Sequence, residues 1–242
     1  MGFEAKKVIT LLLAGGTGSR MGEDVPKQYI EVRGRMVIDY CMKRLLSCER
    51  MSGIWVVAHE AWREQVQGAC GDSGALLGFS DPGETRAASI ENGIRDLCDH
   101  CGQDAESTIV IIHDAARPLV SAELLDRCID ACGSHEGAMP VLPMTDTIYY
   151  GSADGSRVEQ LLDRDRLFAG QAPEVYRLVL YKNAIEALSP EQRGKLRGTT
   201  EPAVMAGLDI CMVPGDEKNF KITTRADLER FQELVAQGWY DE

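Results

Sequence analysis

Residues Val8–Gln28 read VITLLLAGGTGSRMGEDVPKQ, and this stretch decides the fold. Val8–Leu13 is a short apolar run of the kind that forms a buried strand. It passes directly into a loop carrying Gly15, Gly16 and Gly18. Glycine has no Cβ, so a ligand can approach the backbone and N–H groups can converge on phosphate oxygens. Arg20 and Lys27 add positive charge across the loop, which Pro26 ends. No GK[ST] follows, so this is not a Walker loop. GGTGSR also lacks the GxGxxG spacing, and no clear acidic partner follows a second strand, which excludes a dinucleotide fingerprint. The reading left is a phosphate-binding turn behind the first strand of an α/β sheet.

Downstream, strand-like and helix-like stretches alternate, as in βαβ units. Met36–Cys48 has helical spacing, with Val37, Tyr40, Cys41, Leu45 and Cys48 on one face. Gly53–Ala58 and Thr108–Ile112 are continuous apolar runs of the buried-strand type. Glu84–Leu97 reads as a helix, and Ser121 as the N-cap of the next. A strand is expected near Ala138–Leu142, a helix near Leu178–Leu188, a strand near Asp209–Val213 and a last helix over Ala226–Ala236. Thr145–Gly170 breaks the rhythm. Its hairpin signal at Ala153-Asp154-Gly155-Ser156 and its weak core pattern suit a projecting arm. No repeat, low-complexity tract or linker interrupts residues 1–242, so one domain with a β-arm at about 145–170 is expected.

The bulk numbers restrict partners. A formal net charge of −12 over 242 residues argues against nucleic acid and against an anionic membrane surface. Phosphate binding then has to come from a few placed Lys and Arg side chains and from backbone N–H groups. Eight cysteines include one CxxC, Cys98 and Cys101, with no second pair to complete a zinc site. Structural roles and reduced thiols fit a cytoplasmic protein. The apolar run after Lys6-Lys7 is too short for a signal h-region or a membrane span, and Lys6 stands where myristoylation wants Ser or Thr.

Three further elements carry chemistry. His113-Asp114-Ala115-Ala116-Arg117-Pro118 lies at the carboxyl end of a predicted strand, where open α/β sheets bind ligands. Asp114 there can hold Mg²⁺ against phosphate oxygens. Arg117 can reach a phosphate or pair with Asp114, and His113 is expected to pack, having no nucleophile to activate. Gly83-Glu84-Thr85-Arg86-Ala87-Ala88-Ser89 opens a helix and offers backbone groups and a hydroxyl to a base edge. Lys221, in NFKITT, taken alone reads as a solvated lysine.

Together and in this order these stretches resemble the 2-C-methyl-D-erythritol 4-phosphate cytidylyltransferase family, and also the related ribitol-5-phosphate cytidylyltransferases. The matching segments are LLLAGGTGSRMGEDVPKQY, GETRAASIENGI, VIIHDAARPLV, PMTDTI, DRDRLFAGQAPEVY and NFKITTRADL. The resemblance implies a Rossmann-like, mainly parallel sheet of the nucleotide-diphospho-sugar transferase type, and a homodimer whose β-arms reach the partner's site. It implies transfer of CMP from CTP to a polyol phosphate with Mg²⁺ or another divalent cation. Arg20 and Lys27 match the catalytic cations, with Arg164 and Lys221 joining them. Ala14, Gly15, Gly16, Gly18, Gly83, Glu84, Arg86 and Ser89 match the nucleotide site. Thr147, Arg117, Arg164 and Lys221 match contacts to the second substrate, and Asp114 stands near the metal.

Three positions depart from the family pattern, all on the acceptor side. Ala172-Pro173-Glu174 stands where TPQ is usual, Tyr149 where a Lys often follows DTI, and Arg197-Gly198-Thr199-Thr200-Glu201-Pro202 where a Thr-Asp element belongs. The expected acceptor is methylerythritol phosphate. The alternatives are ribitol phosphate or another sugar phosphate for cell-surface polymers, or a nucleotide-binding protein without catalysis.

Overall fold

The structure, a computed structural model, describes residues 3–16, 25–71 and 74–239. Gly18 and Arg20 therefore lie outside the described residues. The elements run in chain order as follows. Strand β1 (Lys7–Leu13) is followed by a two-strand ribbon, β2 (Glu31–Val32) and β3 (Arg35–Met36), and helix α1 (Val37–Leu46). Then come β4 (Gly53–Val57), α2 (Arg63–Cys70), β5 (Leu76–Ser80), α3 (Arg86–Cys101), β6 (Thr108–Asp114), α4 (Ala122–Ser134) and β7 (Gly137–Pro143). The chain continues through β8 (Tyr149–Gly151), β9 (Val158–Leu161), β10 (Phe168–Gly170), β11 (Glu174–Arg177) and α5 (Leu178–Glu186). It ends with α6 (Pro190–Lys195), α7 (Glu201–Met205), β12 (Ile210–Pro214) and α8 (Arg225–Ala236).

The main sheet runs β10-β7-β11-β6-β1-β4-β5, with β12 on the other edge of β7. Strands β1, β4, β5 and β6 pair in parallel, and β12 is parallel to β7. Strand β11 is antiparallel to both β6 and β7, and β10 is antiparallel to β7. The sheet is thus mostly parallel with two antiparallel returns.

Both faces of the sheet are covered, as its period-2 side-chain alternation requires. Val8 and Leu12 of β1 and Ile109 and Ile111 of β6 pack with Ile38 and Met42 of α1 and Leu125 and Ile129 of α4. The alternate residues Ile9, Leu11, Val110 and Ile112 pack with Ile90 and Ile94 of α3 and Tyr181 of α5. A smaller cluster joins Tyr40, Leu119 and Ile222 to Phe231 of α8. Removing one such buried branched side chain typically costs about 2–5 kcal/mol, so the sheet is a stiff platform for what stands at its ends.

The segment 145–170 divides in two. Among the described residues, strands β8 and β9 pair only with each other, across a turn in which Gly155 adopts φ 71° and Asp154 Oδ1 accepts from Ser156 N at 3.1 Å. Phe168–Gly170, expected to belong to the arm, instead returns to the main sheet: Ala169 pairs with Leu142. Three residues suffice there because the ladder along β7 already exists.

Candidate active site

The register of the central strands builds the site floor. Leu13 of β1 lies beside Asp114 of β6. The ladder then continues into the loops, with Ala115 N donating to Leu13 O at 3.1 Å and Ala14 N to Val57 O at 2.9 Å. Gly15 is thereby carried past the end of β4, against Pro82 and the Val57 carbonyl. A Cβ on Gly15 would stand 2.5 Å from Pro82 Cβ, so the close approach of these loops requires glycine. Among the described residues, nothing lies within 4 Å of a Cβ built on Gly16.

Over this floor lies a cleft of about 510 Å³. Gly15, Gly16, Gly83, Glu84, Arg86 and Ser89 line it together with Lys27, Asp114 and Lys221. Four stretches far apart in sequence therefore meet in one place. Helix α3 points its N-terminus at the cleft, capped by Thr85, whose hydroxyl accepts from Ala88 N at 3.1 Å. Ser89 closes the turn by accepting from Gly83 N at 3.0 Å and donating to Thr85 O at 2.9 Å. Gly83 is obligatory, since a Cβ there would lie 2.4 Å from Ala88 Cβ.

Asp114 is the electrostatic centre. One carboxylate oxygen pairs with Arg86, and the other accepts from Lys221 Nζ at 2.8 Å, with Arg117 Nε at 3.8 Å. Burial alone would raise its pKa, but Arg86, Lys221 and Arg117 override it and hold the carboxyl well below the usual carboxylate range. The same carboxylate outweighs burial at Arg86 and raises its pKa, so that guanidinium stays charged. Lys27 Nζ reaches across the cleft and donates to Ile222 O at 2.7 Å.

Several expectations are revised by these contacts. Asp114, expected to hold a metal, has both oxygens turned to cations, and a divalent ion beside Arg86 and Lys221 would meet like charge. Among the described residues no group of three or more His, Cys, Asp or Glu gathers as a metal site. The protein's own side chains therefore do not fit a resident cation at this position. Arg117, expected to contact substrate, is turned inward: its side chain is 14% exposed and Nη1 donates to Asn219 O at 2.7 Å. Ala14, expected to read a base, has its carbonyl engaged by Gln28 Nε2 at 2.6 Å and by Tyr29 OH at 3.2 Å. It braces the loop from within.

Thr147 and Arg164 do not reach the cleft. Thr147 is exposed just before β8, and Arg164 Nη1 donates to Thr145 O at 2.8 Å within the arm region. His113 packs as expected: it is buried, its Nε2 lies 3.1 Å from Arg117 O, and burial lowers its pKa to about 4. Cys98 and Cys101 are buried in α3, and burial pushes the Cys98 thiol up to about 12, which suits packing rather than redox work.

The residues that support the site leave little signal in the sequence. Gln28 also donates to Gly16 O at 2.7 Å, and Tyr29 stacks on Trp62 with ring centroids 4.2 Å apart. Asn219 donates to Ala172 O at 2.6 Å and fixes the approach to Lys221. The PKQ element was the visible signal for the first of these; the others have none in the local pattern.

Comparison with known proteins agrees with this geometry. The family model for 2-C-methyl-D-erythritol 4-phosphate cytidylyltransferase matches residues 8–237. The chain is 36% identical over 232 residues to a protein of that name from Rubrobacter xylanophilus, covering 94% of each. It is 34% identical to a bifunctional IspD/IspF enzyme of Maricaulis maris, covering 95% of this chain and 57% of that protein. Its fold matches the crystal structure of 4-diphosphocytidyl-2C-methyl-D-erythritol synthase from Anaerococcus prevotii with a TM-score of 0.79, at 21% identity and 96% coverage of both chains.

Proposed function

The chain belongs to the 2-C-methyl-D-erythritol 4-phosphate cytidylyltransferase family, and from that premise we propose that it transfers CMP from CTP to methylerythritol phosphate, releasing pyrophosphate. The observation that carries this reading is the convergence of Lys27, Arg86 and Lys221 on the glycine-lined cleft at the ends of β1 and β6. In a protein of net charge −12, a local cluster of cations marks a site for anions.

The chemistry follows from bringing two anions together. A phosphate monoester oxygen of the acceptor attacks the α-phosphorus of CTP in line, and pyrophosphate leaves. The monoester is already ionised at neutral pH, so no general base is needed. The barrier is one of position and charge. The turn Gly83–Ser89 offers backbone groups to the base, and Gly15 and Gly16 let the triphosphate approach the main chain. Lys27 exchanges its bond to the Ile222 carbonyl for phosphate oxygens, and Lys221, steered by Asp114, faces the acceptor phosphate. Arg20 joins Lys27 as a catalytic cation through the family resemblance. A divalent cation neutralises triphosphate charge in this class of reaction, and its ligands would be phosphate oxygens and water.

The exposed hairpin β8–β9, carrying Thr147 and Arg164 at its base, supports a homodimer in which each arm completes the partner's acceptor site. Eight free cysteines, seven of them buried, accord with a cytoplasmic setting. Among the described residues no helix is long and apolar enough to cross a membrane.

Pyrophosphate release with CTP against methylerythritol phosphate, ribitol phosphate and other polyol phosphates tests the assignment. Release with methylerythritol phosphate is expected; release with ribitol phosphate alone would move the chain to the other branch. Lys27→Ala should lose at least about two orders of magnitude in turnover, the scale of removing one oxyanion donor. Near-normal turnover in that variant overturns the reading.

A further inference from the structure

Lys27, Gln28 and Tyr29 form one short 3₁₀ turn, in which Tyr29 N donates to Pro26 O at 2.8 Å. Each of the three side chains reaches main-chain carbonyls at the cleft: Lys27 that of Ile222, Gln28 those of Ala14 and Gly16, and Tyr29 that of Ala14. Gln28 is the middle one and is only 3% exposed, so its amide must find partners inside the protein. Its Nε2 donates to Ala14 O at 2.6 Å and to Gly16 O at 2.7 Å, which uses both amide hydrogens. Two carbonyls on one amide also settle which way round it lies, with nitrogen toward the glycine loop.

We propose that Gln28 is the positioning residue of the triphosphate cradle: by holding the Ala14 and Gly16 carbonyls it aims the Gly15 N–H at the donor phosphates, and it sets Lys27 beside them. A planar trans peptide puts its C=O and N–H on opposite sides. With the Ala14 carbonyl held by Gln28 and Tyr29, the Gly15 N–H is therefore directed away from both. That N–H has no hydrogen-bond partner among the described residues, and Gly15 lines the cleft. Gly15 cannot back away, since Pro82 stands against it on its other side. Tyr29, stacked on Trp62, already ties Ala14 to the core. The bond to Gly16 comes from Gln28, and it serves the loop rather than the core. Because Lys27 precedes Gln28 in the same turn, the amide that shapes the main-chain donor also fixes the start of the cation's side chain.

This inference deepens the cytidylyl-transfer reading and rests on it for the identity of the ligand. Wild type, Q28M and Q28N are titrated by calorimetry with CTP and with inorganic triphosphate, Mg²⁺ present, well below each melting temperature. Q28M fills the same space without an N–H. It should weaken both ligands by the same factor, at least about tenfold, short of the roughly hundredfold that a 1 Å misplacement can cost. Q28N keeps the amide one methylene short, should lose at least about threefold, and carries the test if Q28M does not fold. In turnover at saturating CTP, the KM for methylerythritol phosphate should stay within about twofold of wild type, since the bonds of Gln28 are to the donor loop. Unchanged triphosphate affinity in the variants overturns the proposal. So does an acceptor KM raised as much as the triphosphate Kd, which would mark a general loosening. If wild type binds inorganic triphosphate but transfers no CMP to any acceptor, the functional reading fails, and the triphosphate titration decides the role of Gln28 by itself. If wild type binds neither ligand, both fall.

Discussion

The floor of the cleft and the arm are built on opposite terms. At the floor, Asp114, Arg86, Lys221 and Lys27 take partners from distant parts of the chain: Asp114 with Arg86 and Lys221, Lys27 with the Ile222 carbonyl. On the arm, Tyr149, Tyr150, Val158 and Leu161 are each more than half exposed, and among the described residues the two strands pair only with each other. An isolated hairpin is marginal in water, and an exposed apolar patch of this kind marks a surface that another molecule covers. The floor is completed by its own chain. The proposed homodimer would complete the arm from outside.

The sharpest test of the floor is Asp114→Asn. It leaves Arg86 and Lys221 without their counter-charge, and unfolding in urea should show a loss of about 3–4 kcal/mol, toward the low end for a broken buried pair because both cations keep some solvent. Unchanged stability would mean that the cluster is not a structural keystone. Acid gives the next largest effect. His113 has its pKa depressed to about 4 from 6.5, so its contribution is present above pH 6.5 and is lost as pH falls through about 4. That amounts to about 3 kcal/mol. Wild type should weaken between pH 7 and pH 4, and His113→Gln should flatten that slope. The Asp114 contribution, with its pKa lowered, fails only in stronger acid, which separates the two. The smallest effect on stability belongs to the arm. Leu161→Asp should change the unfolding free energy by less than about 0.5 kcal/mol, as exposed substitutions do, yet halve the mass seen by light scattering. A dimer that survives the substitution would place the interface elsewhere.

The sequence made the same division legible, though unevenly. Runs such as GIWVV and TIVII announce buried parallel strands because both faces must be apolar. Strand β11 escaped notice: it is four residues, EVYR, and pairs because two neighbours already stand on either side. Helix α2 escaped because only Val66 and Cys70 are buried, too few to display a period. At the site, glycine spacing and the cations were readable locally. The occupied state of Ala14 and Asp114 was not, since Tyr29, Arg86 and Lys221 arrive by folding rather than by motif. That is why Ala14, expected among the nucleotide-binding residues, has its carbonyl taken by Gln28 and Tyr29, and Asp114, expected to hold a metal, faces Arg86 and Lys221.

Arg86 has a consequence beyond its contacts. It opens α3 within the Gly83–Ser89 turn, which the proposed function gives to the nucleotide, and its guanidinium ends on Asp114 and Thr199. A ligand that moved the turn would act, through this single side chain, on the carboxylate that holds Lys221. By thermodynamic reciprocity, whatever the first substrate does to the affinity for the second, the second must do to the first in equal measure.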